Sequence, residues 1–552
     1  MAAIGSEAAV VSGVGESKGL FLRQSSGLVR EVSIIGALFF NVAAFMGPFL
    51  PGGLNYALAG EANWNFLGIT AYGWAAILVG VAGIAMILIT TSFVSVMPKT
   101  GGGYVFTSRI THPLLGWLES WGIVWASLAL IGFVTVLLVS QIRFVGVTLS
   151  IAFPDNPTFK DANNWLTGNE AFFATGLVSL LIAGFISILR PRSFFRIVTW
   201  LGGFSLVALL VMTVAVVFLV NHDTFTSSLS QYTGGATPES IIASANLPQG
   251  GFSFVPFMVF CVVILGSYIG FQYSAYLAGE VAGSVRRSTL IAVLGALIIA
   301  ILFNSIINDL VAAKFGQELM QAYGALLFGG KELPGGLVPF PPMLATVAAP
   351  GLWPIWVAAM LATVLFTFLL IPVYIVFIAR MFLAWAMDRQ APEWLGAVNE
   401  RTNTPVNATI VCTIAGVVIL WASTYAGLAL TATLWFTWVS MALTLINPGI
   451  NALLFKRRRP DLEANAPYRT WLVRLGVIWL IAILTIYIFG VARPLLAGLT
   501  AEGGGYEYFR SSGIQVALII FVVGAVLYFV NVWWNRRQGI DRSKLYAQVP
   551  PD

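Results

Sequence analysis

Cysteine, histidine and charge are all scarce in this 552-residue chain, and each scarcity removes a class of function. The two cysteines, Cys261 and Cys412, lie in separate apolar runs, so neither a disulfide framework nor a thiolate metal site is expected. The two histidines, His112 and His222, fall between such runs. An enzyme needs a nucleophile with its base or a set of metal ligands, so no catalytic residue, no metal and no cofactor is expected here. Charged residues make up 9% of the sequence, against about a quarter in water-soluble proteins, which excludes an ordinary solvated surface.

What the chain has instead is 58% apolar residues gathered into runs long enough to cross a bilayer. Twelve spans are predicted, near residues 33–58, 69–96, 114–142, 171–189, 195–220, 253–281, 289–312, 352–386, 407–425, 428–455, 471–495 and 513–535. The expected fold class is therefore an all-α polytopic membrane protein. The first, third, sixth and eighth runs exceed one bilayer thickness, which implies tilt, a break or extension into water.

Basic residues orient the spans. With an even number of crossings, 23 of the 29 Lys and Arg residues fall on the side shared by both termini and 6 fall opposite. Positive charge in short loops marks the cytoplasmic side, so a multi-pass cell-membrane protein with both termini cytoplasmic is expected. The formal charge of +6 is explained by these loops, notably Lys456 to Arg459, and no nucleic-acid partner is invoked. Residues 1–30 are rich in Gly and Ser, lack the apolar core of a secretory signal and are expected to be a cytoplasmic tail, as are residues 536–552.

Two spans carry interruptions. Span 1 contains Gly47-Pro48 and Pro51-Gly52-Gly53, and a mid-helix proline lacks its N–H and clashes with the preceding turn, so a break is expected around Ala44 to Phe49. Five spans later, Gly266 and Gly270 flank Ser267 and Tyr268. Broken helices in corresponding positions of two halves point to a transporter binding site. An offset of five places the second half upside down: helices 1–5 (residues 31–220) and 6–10 (221–458) are expected to form inverted repeats, with helices 11 and 12 (459–535) outside them. The stretches 97–113 and 313–351, both rich in Gly and Pro, occupy equivalent places. Taken singly, each break is equally consistent with close helix packing, because Gly and Pro are common in membrane helices.

Four segments resemble the amino acid-polyamine-organocation superfamily of transporters over roughly residues 30–410. "PKTGGGYVFTSR", with Pro98, Gly101, Gly102, Tyr104 and Arg109, is similar to the signature between helices 2 and 3; "ARMFLAWAMDRQAPEW" and "NTPVNAT" are similar to the segment after helix 8 through Arg380, Asp388, Pro392, Thr404 and Pro405. "SYIGFQ" in helix 6 is followed by Glu280, where the family has a glutamate at the inner end of that helix. The resemblance implies a five-plus-five inverted repeat of leucine-transporter type with helices 1 and 6 broken, and a permease moving a small solute by alternating access. It also implies that backbone N–H groups at the opened helix 1 hold a substrate carboxylate. Here the family's Gly-x-Gly falls on Gly47, Pro48 and Phe49, and Pro48 offers no N–H, leaving Gly47, Phe49 and Leu50 to do so.

The expected substrate site is Ala43, Ala44, Phe45, Met46 and Gly47 with Leu265, Gly266, Ser267, Tyr268 and Gly270. Tyr268 is the expected outer gate, and Glu280 with Tyr104 the cytoplasmic gate. A charge at mid-bilayer costs on the order of 3 kcal/mol. None lies centrally: Glu31, Glu119, Glu280 and Asp388 fall at inner helix ends and Arg143, Asp309 and Arg493 at outer ends, where all but Glu280 read as solvated or salt-bridged. The solute is therefore expected to be neutral or zwitterionic, most simply an amino acid, with an amine, polyamine or potassium carrier as the alternative. A coupling proton or sodium ion is the further partner to be placed. The resemblance implies, for sodium-coupled relatives, a site of helix 1 carbonyls and helix 8 hydroxyls, for which Thr363 and Thr367 are the candidates here although they lie four apart instead of adjacent, and for some proton-coupled relatives a lysine on helix 5, which this chain lacks. A channel would need a repeated pore loop, and "GSYIG" occurs once.

Overall fold

The computed structural model describes residues 27–46, 64–247, 251–328, 331–428, 430–500, 513–540 and 542–547. Its helices are α1 (Ile34–Met46), α2 (Ala71–Val96), α3 (Gly102–Ile110), α4 (Pro113–Ala152), α5 (Asn169–Ile188), α6 (Pro191–Leu219), α7 (His222–Tyr232), α8 (Pro238–Ala245) and α9 (Phe254–Tyr268). After these come α10 (Val285–Phe315), which contains a π-turn at Phe303–Ile307, then α11 (Gln317–Phe328), α12 (Pro341–Ala348), α13 (Trp353–Met387) and α14 (Val406–Tyr425). The chain continues through α15 (Leu430–Ser440), α16 (Ala442–Arg458), α17 (Leu472–Ala497), α18 (Ile514–Arg537) and the short α19 (Arg542–Ala547). Asn65–Phe66 and Ile69–Thr70 pair antiparallel in a small hairpin before α2.

Local chemistry starts these helices where the apolar runs begin. Thr70 caps α2 by accepting the Gly73 N–H, His112 caps α4 by accepting that of Leu114, and Pro113, Pro191 and Pro341 stand in first turns, where no N–H is needed. Eleven stretches among the described residues are helical, long and apolar enough to span a membrane, and Ile34–Phe45 of α1 is a shorter apolar helix. At 40 residues, α4 is about 60 Å long, twice the hydrocarbon thickness, so it extends beyond the apolar layer. The tenth predicted span is divided: α15 ends at Ser440 and α16 begins at Ala442, with Pro448 inside the second piece.

The core is built on α4 and α13, packed against each other, with α6 and α5 also on α13 and α14 on α4. Their most apolar windows are 78% buried, whereas that of α18 is 17% buried, which places α18 at the rim. The rim is apolar as well: Trp200, Phe218, Phe185, Ile481 and Val522 are exposed. Exposed apolar side chains on so many of the outer helices suit a lipid surrounding. Helix α1 lies inside the rim, against α10, α6, α13 and the segment that follows α9.

Candidate functional site

Helix 6 stops being α-helical at the expected place. α9 ends at Tyr268, and Ile269–Tyr276 and Ala278–Glu280 continue as 3-10 turns, so i-to-i+3 bonds replace the α-helical ones. α1 ends at Met46; Gly47 and Pro48, on which the expected break of helix 1 also rests, lie outside the described residues.

α1 and the segment that follows α9 are joined along their length. Val32 N–H donates to the Glu280 carbonyl at 3.0 Å and Ala282 N–H donates to the Val32 carbonyl at 3.0 Å. Further along, Asn41 uses both ends of its amide: Nδ2 donates to Ser274 Oγ at 2.9 Å and Oδ1 accepts the Ser274 N–H at 2.8 Å. At the top of the contact Gly270 faces Ala44; a Cβ there would collide with the Ala44 methyl and stand 2.9 Å from its carbonyl. The sequence reading missed Asn41, although a lone amide in an otherwise apolar run was the signal for it.

Of the expected substrate residues, Ala43, Ala44, Phe45, Leu265 and Tyr268 are buried, and Ala44 and Gly270 are brought into contact. Gly266 is backed by α15, since a Cβ there would collide with the Trp438 indole. Ser267 Oγ donates to the Val263 carbonyl at 3.2 Å, within its own helix. Tyr268 points to α2, donating to the Ala76 carbonyl at 3.2 Å. Thr363 and Thr367 are both buried on α13, one turn apart, and Thr363 Oγ1 donates to the Ala359 carbonyl at 3.0 Å.

The two expected cytoplasmic-gate residues sit in separate clusters that share α13. Glu280 receives both arms of the Arg380 guanidinium, Nε at 2.9 Å and Nη2 at 3.0 Å, with both side chains buried. Two turns along, Asp388 holds Arg109 through contacts of 2.7 Å, and the Arg109 guanidinium lies 5.8 Å from the Tyr104 ring and 5.1 Å from that of Tyr546. Burial disfavours the Arg109 cation, but Asp388 outweighs it and raises the pKa. Burial, reinforced by Asp388 and Tyr546, pushes the Tyr104 phenol well above its ordinary range and keeps it neutral.

Between these clusters, the Gly-rich loop closes on helix 6. Gly101, at φ +108°, donates its N–H to the Tyr276 carbonyl at 3.0 Å, and a Cβ on Gly102 would stand 2.7 Å from the Tyr276 ring. Tyr273 stacks on Phe377 of α13 at 4.3 Å, and Tyr276 meets Phe377 edge-on at 4.8 Å. The aromatic residues of inner helix 6 thus form packing between helices 6 and 8.

Glu119 differs from its expected solvated or salt-bridged state. It is 1% exposed and has no cationic partner among the described residues; Oε2 accepts from Thr107 Oγ1 at 2.6 Å and from Asn447 Nδ2 at 2.8 Å. Asn451 Nδ2 in turn donates to Thr107 Oγ1 at 2.8 Å. The overrun of α4 beyond the apolar layer, covered by α3 and α16, is what buries this helix end. A cavity of about 20 Å³ beside Glu119, bordered by Gln272 and Thr444, has room for one water. Asp309 likewise ties elements together, accepting the Thr70 N–H at 2.9 Å and its hydroxyl at 2.8 Å.

No curated protein matches the chain at the level of sequence. The amino acid permease family model matches residues 33–501, from the entry to α1 through α17, and the chain belongs to that family of membrane transporters.

Proposed function

We propose that this permease is a secondary-active transporter that carries a small neutral or zwitterionic solute, in the first instance an amino acid, by alternating access. The observation that carries this reading is the seam between α1 and the unwound part of helix 6, where Gly270 against Ala44 brings two backbones together at the point where helix 6 leaves α-geometry. Unwound backbone in a membrane interior is stable where it is enclosed by protein or lines a cavity, and its free dipoles suit a zwitterion. With α1 completed as a crossing, the spans number twelve, arranged as two inverted halves of five plus two. The face bearing α3 is cytoplasmic, as are both termini, on the strength of the 23 basic residues assigned to that side.

A carrier of amines or polyamines is best served by a carboxylate left available near the seam. Among the described residues, Glu280 is engaged by Arg380 and Glu119 by Thr107 and Asn447, which favours the neutral or zwitterionic solute. The test is uptake by purified protein in proteoliposomes, with labelled neutral amino acids, spermidine and rubidium measured in parallel. Saturable uptake and counterflow of a neutral amino acid is the expected result. Uptake confined to spermidine or rubidium, or a non-saturating conductance, overturns the proposal.

A further inference from the structure

A second cavity, about 600 Å³ in volume, opens on the α3 face between α3, the start of α4, α16, α18 and α19. That size suits a small ligand or a lipid headgroup. Its wall carries Arg109, His112, Arg458, Arg536, Tyr528 and Tyr546, and no acidic residue is among the described residues lining it. Arg458 and Arg536 are exposed and make no ion pair among the described residues, unlike Arg459, which is held by Asp461 at 2.7 Å. Arg109 is neutralised by Asp388, yet its Nε is buried with no hydrogen-bond partner among the described residues. His112 Nδ1 accepts the Leu114 N–H at 3.1 Å, which assigns the proton of the neutral ring to Nε2.

Two uncompensated guanidinium groups with further N–H donors around one concavity form a receptor for a tetrahedral oxyanion, because the planar guanidinium fork matches phosphate oxygens. The position suits a lipid too. On α18, Phe529, Val530 and Trp533 are exposed next to the residues that line the cavity, so acyl chains run along the same helix that supplies Arg536. Basic pockets between membrane helices at the headgroup level bind anionic headgroups in this way.

We propose that this cavity binds a phosphate group, carried by an anionic phospholipid or by a soluble phosphate anion, through Arg458 and Arg536 with His112 in support. The occupant would touch Tyr546 and Arg109, and through Arg109 would bear on Asp388 at the end of α13.

The test uses the full chain purified in detergent, with binding as the readout, so its outcome is independent of the transported solute. Retention of phosphatidylglycerol against phosphatidylcholine is measured by native mass spectrometry, and thermal shifts are measured with inorganic phosphate against chloride at matched ionic strength. Preferential retention of phosphatidylglycerol, a shift with phosphate, or both is expected, weakened at least tenfold in Arg458→Gln/Arg536→Gln. Retention of the lipid alone assigns the lipid source, and a phosphate shift alone assigns the soluble one. Arg474→Gln, which removes an exposed charge beyond the cavity, is expected to bind as the parent does. Absence of both signals in the parent, undiminished binding by the double variant, or an equal loss in Arg474→Gln overturns the proposal.

Discussion

Two buried carboxylates show how differently one residue type is accommodated in a membrane interior. Glu280 has a full counter-charge in Arg380, bound through two hydrogen bonds, and removing one partner strands the other. Glu280→Gln or Arg380→Met alone is expected to destabilise the fold by about 3–5 kcal/mol, whereas Glu280→Leu/Arg380→Met recovers much of that loss. Thermal unfolding in detergent checks this, and a double variant as unstable as the two single losses combined contradicts it. If Glu280 also belongs to the cytoplasmic gate, Glu280→Gln changes transport rate more than intrinsic solute affinity, because a gate sets conformational populations. Glu119 is held instead by two neutral donors. Glu119→Gln retains an oxygen for Thr107 and Asn447 and is expected to unfold near the parent's temperature, while Glu119→Ala orphans both donors at about 1–3 kcal/mol each. Equal melting of the Gln and Ala variants would show that these hydrogen bonds contribute nothing.

At the scale of elements, the junction of α1 with inner helix 6 is where backbone geometry and function meet. Gly270→Leu is expected to abolish uptake, since no space exists beside Ala44 for a side chain. Gly270→Ala is expected to reduce it, with partial rescue by Ala44→Gly: the second change removes the opposing methyl but leaves the Ala44 carbonyl in place. Normal uptake by Gly270→Leu in proteoliposomes would move the transport site elsewhere. Gly266 and Gly270 made the interruption of helix 6 legible in the sequence, because glycine relaxes a helix locally. The direction taken by helix 6 afterwards was not legible. Its 3-10 path depends on Asn41 bonding to Ser274 from 233 positions away and on the Gly101 N–H donating to the Tyr276 carbonyl, contacts that no local pattern encodes.

For the molecule as a whole, the basic residues predict which face lies in the cytoplasm. Thr237, which caps α8, and Arg457, near the end of α16, are both exposed, and the charge count puts them on opposite sides. In intact cells, a membrane-impermeant thiol reagent is expected to label Thr237→Cys and to reach Arg457→Cys only after permeabilisation. The native Cys261 and Cys412 are buried, so background labelling is low. The reverse pattern refutes the orientation.

Residence in a membrane, the approximate spans and the interruption of helix 6 followed from the sequence alone, since hydropathy, run length and the positions of Gly and Pro act over short stretches. The partners of the polar residues were decided by tertiary structure. Tyr268 donates to the Ala76 carbonyl of α2; Glu280 pairs with Arg380 and Arg109 with Asp388, two turns apart along α13; and Glu119, expected to be solvated or salt-bridged, is enclosed by α3 and α16. The physical reason is that lipid constrains only how apolar each helix is. The facing of its few polar groups is fixed by which neighbour can satisfy them, and that neighbour is set by the packing of the whole bundle.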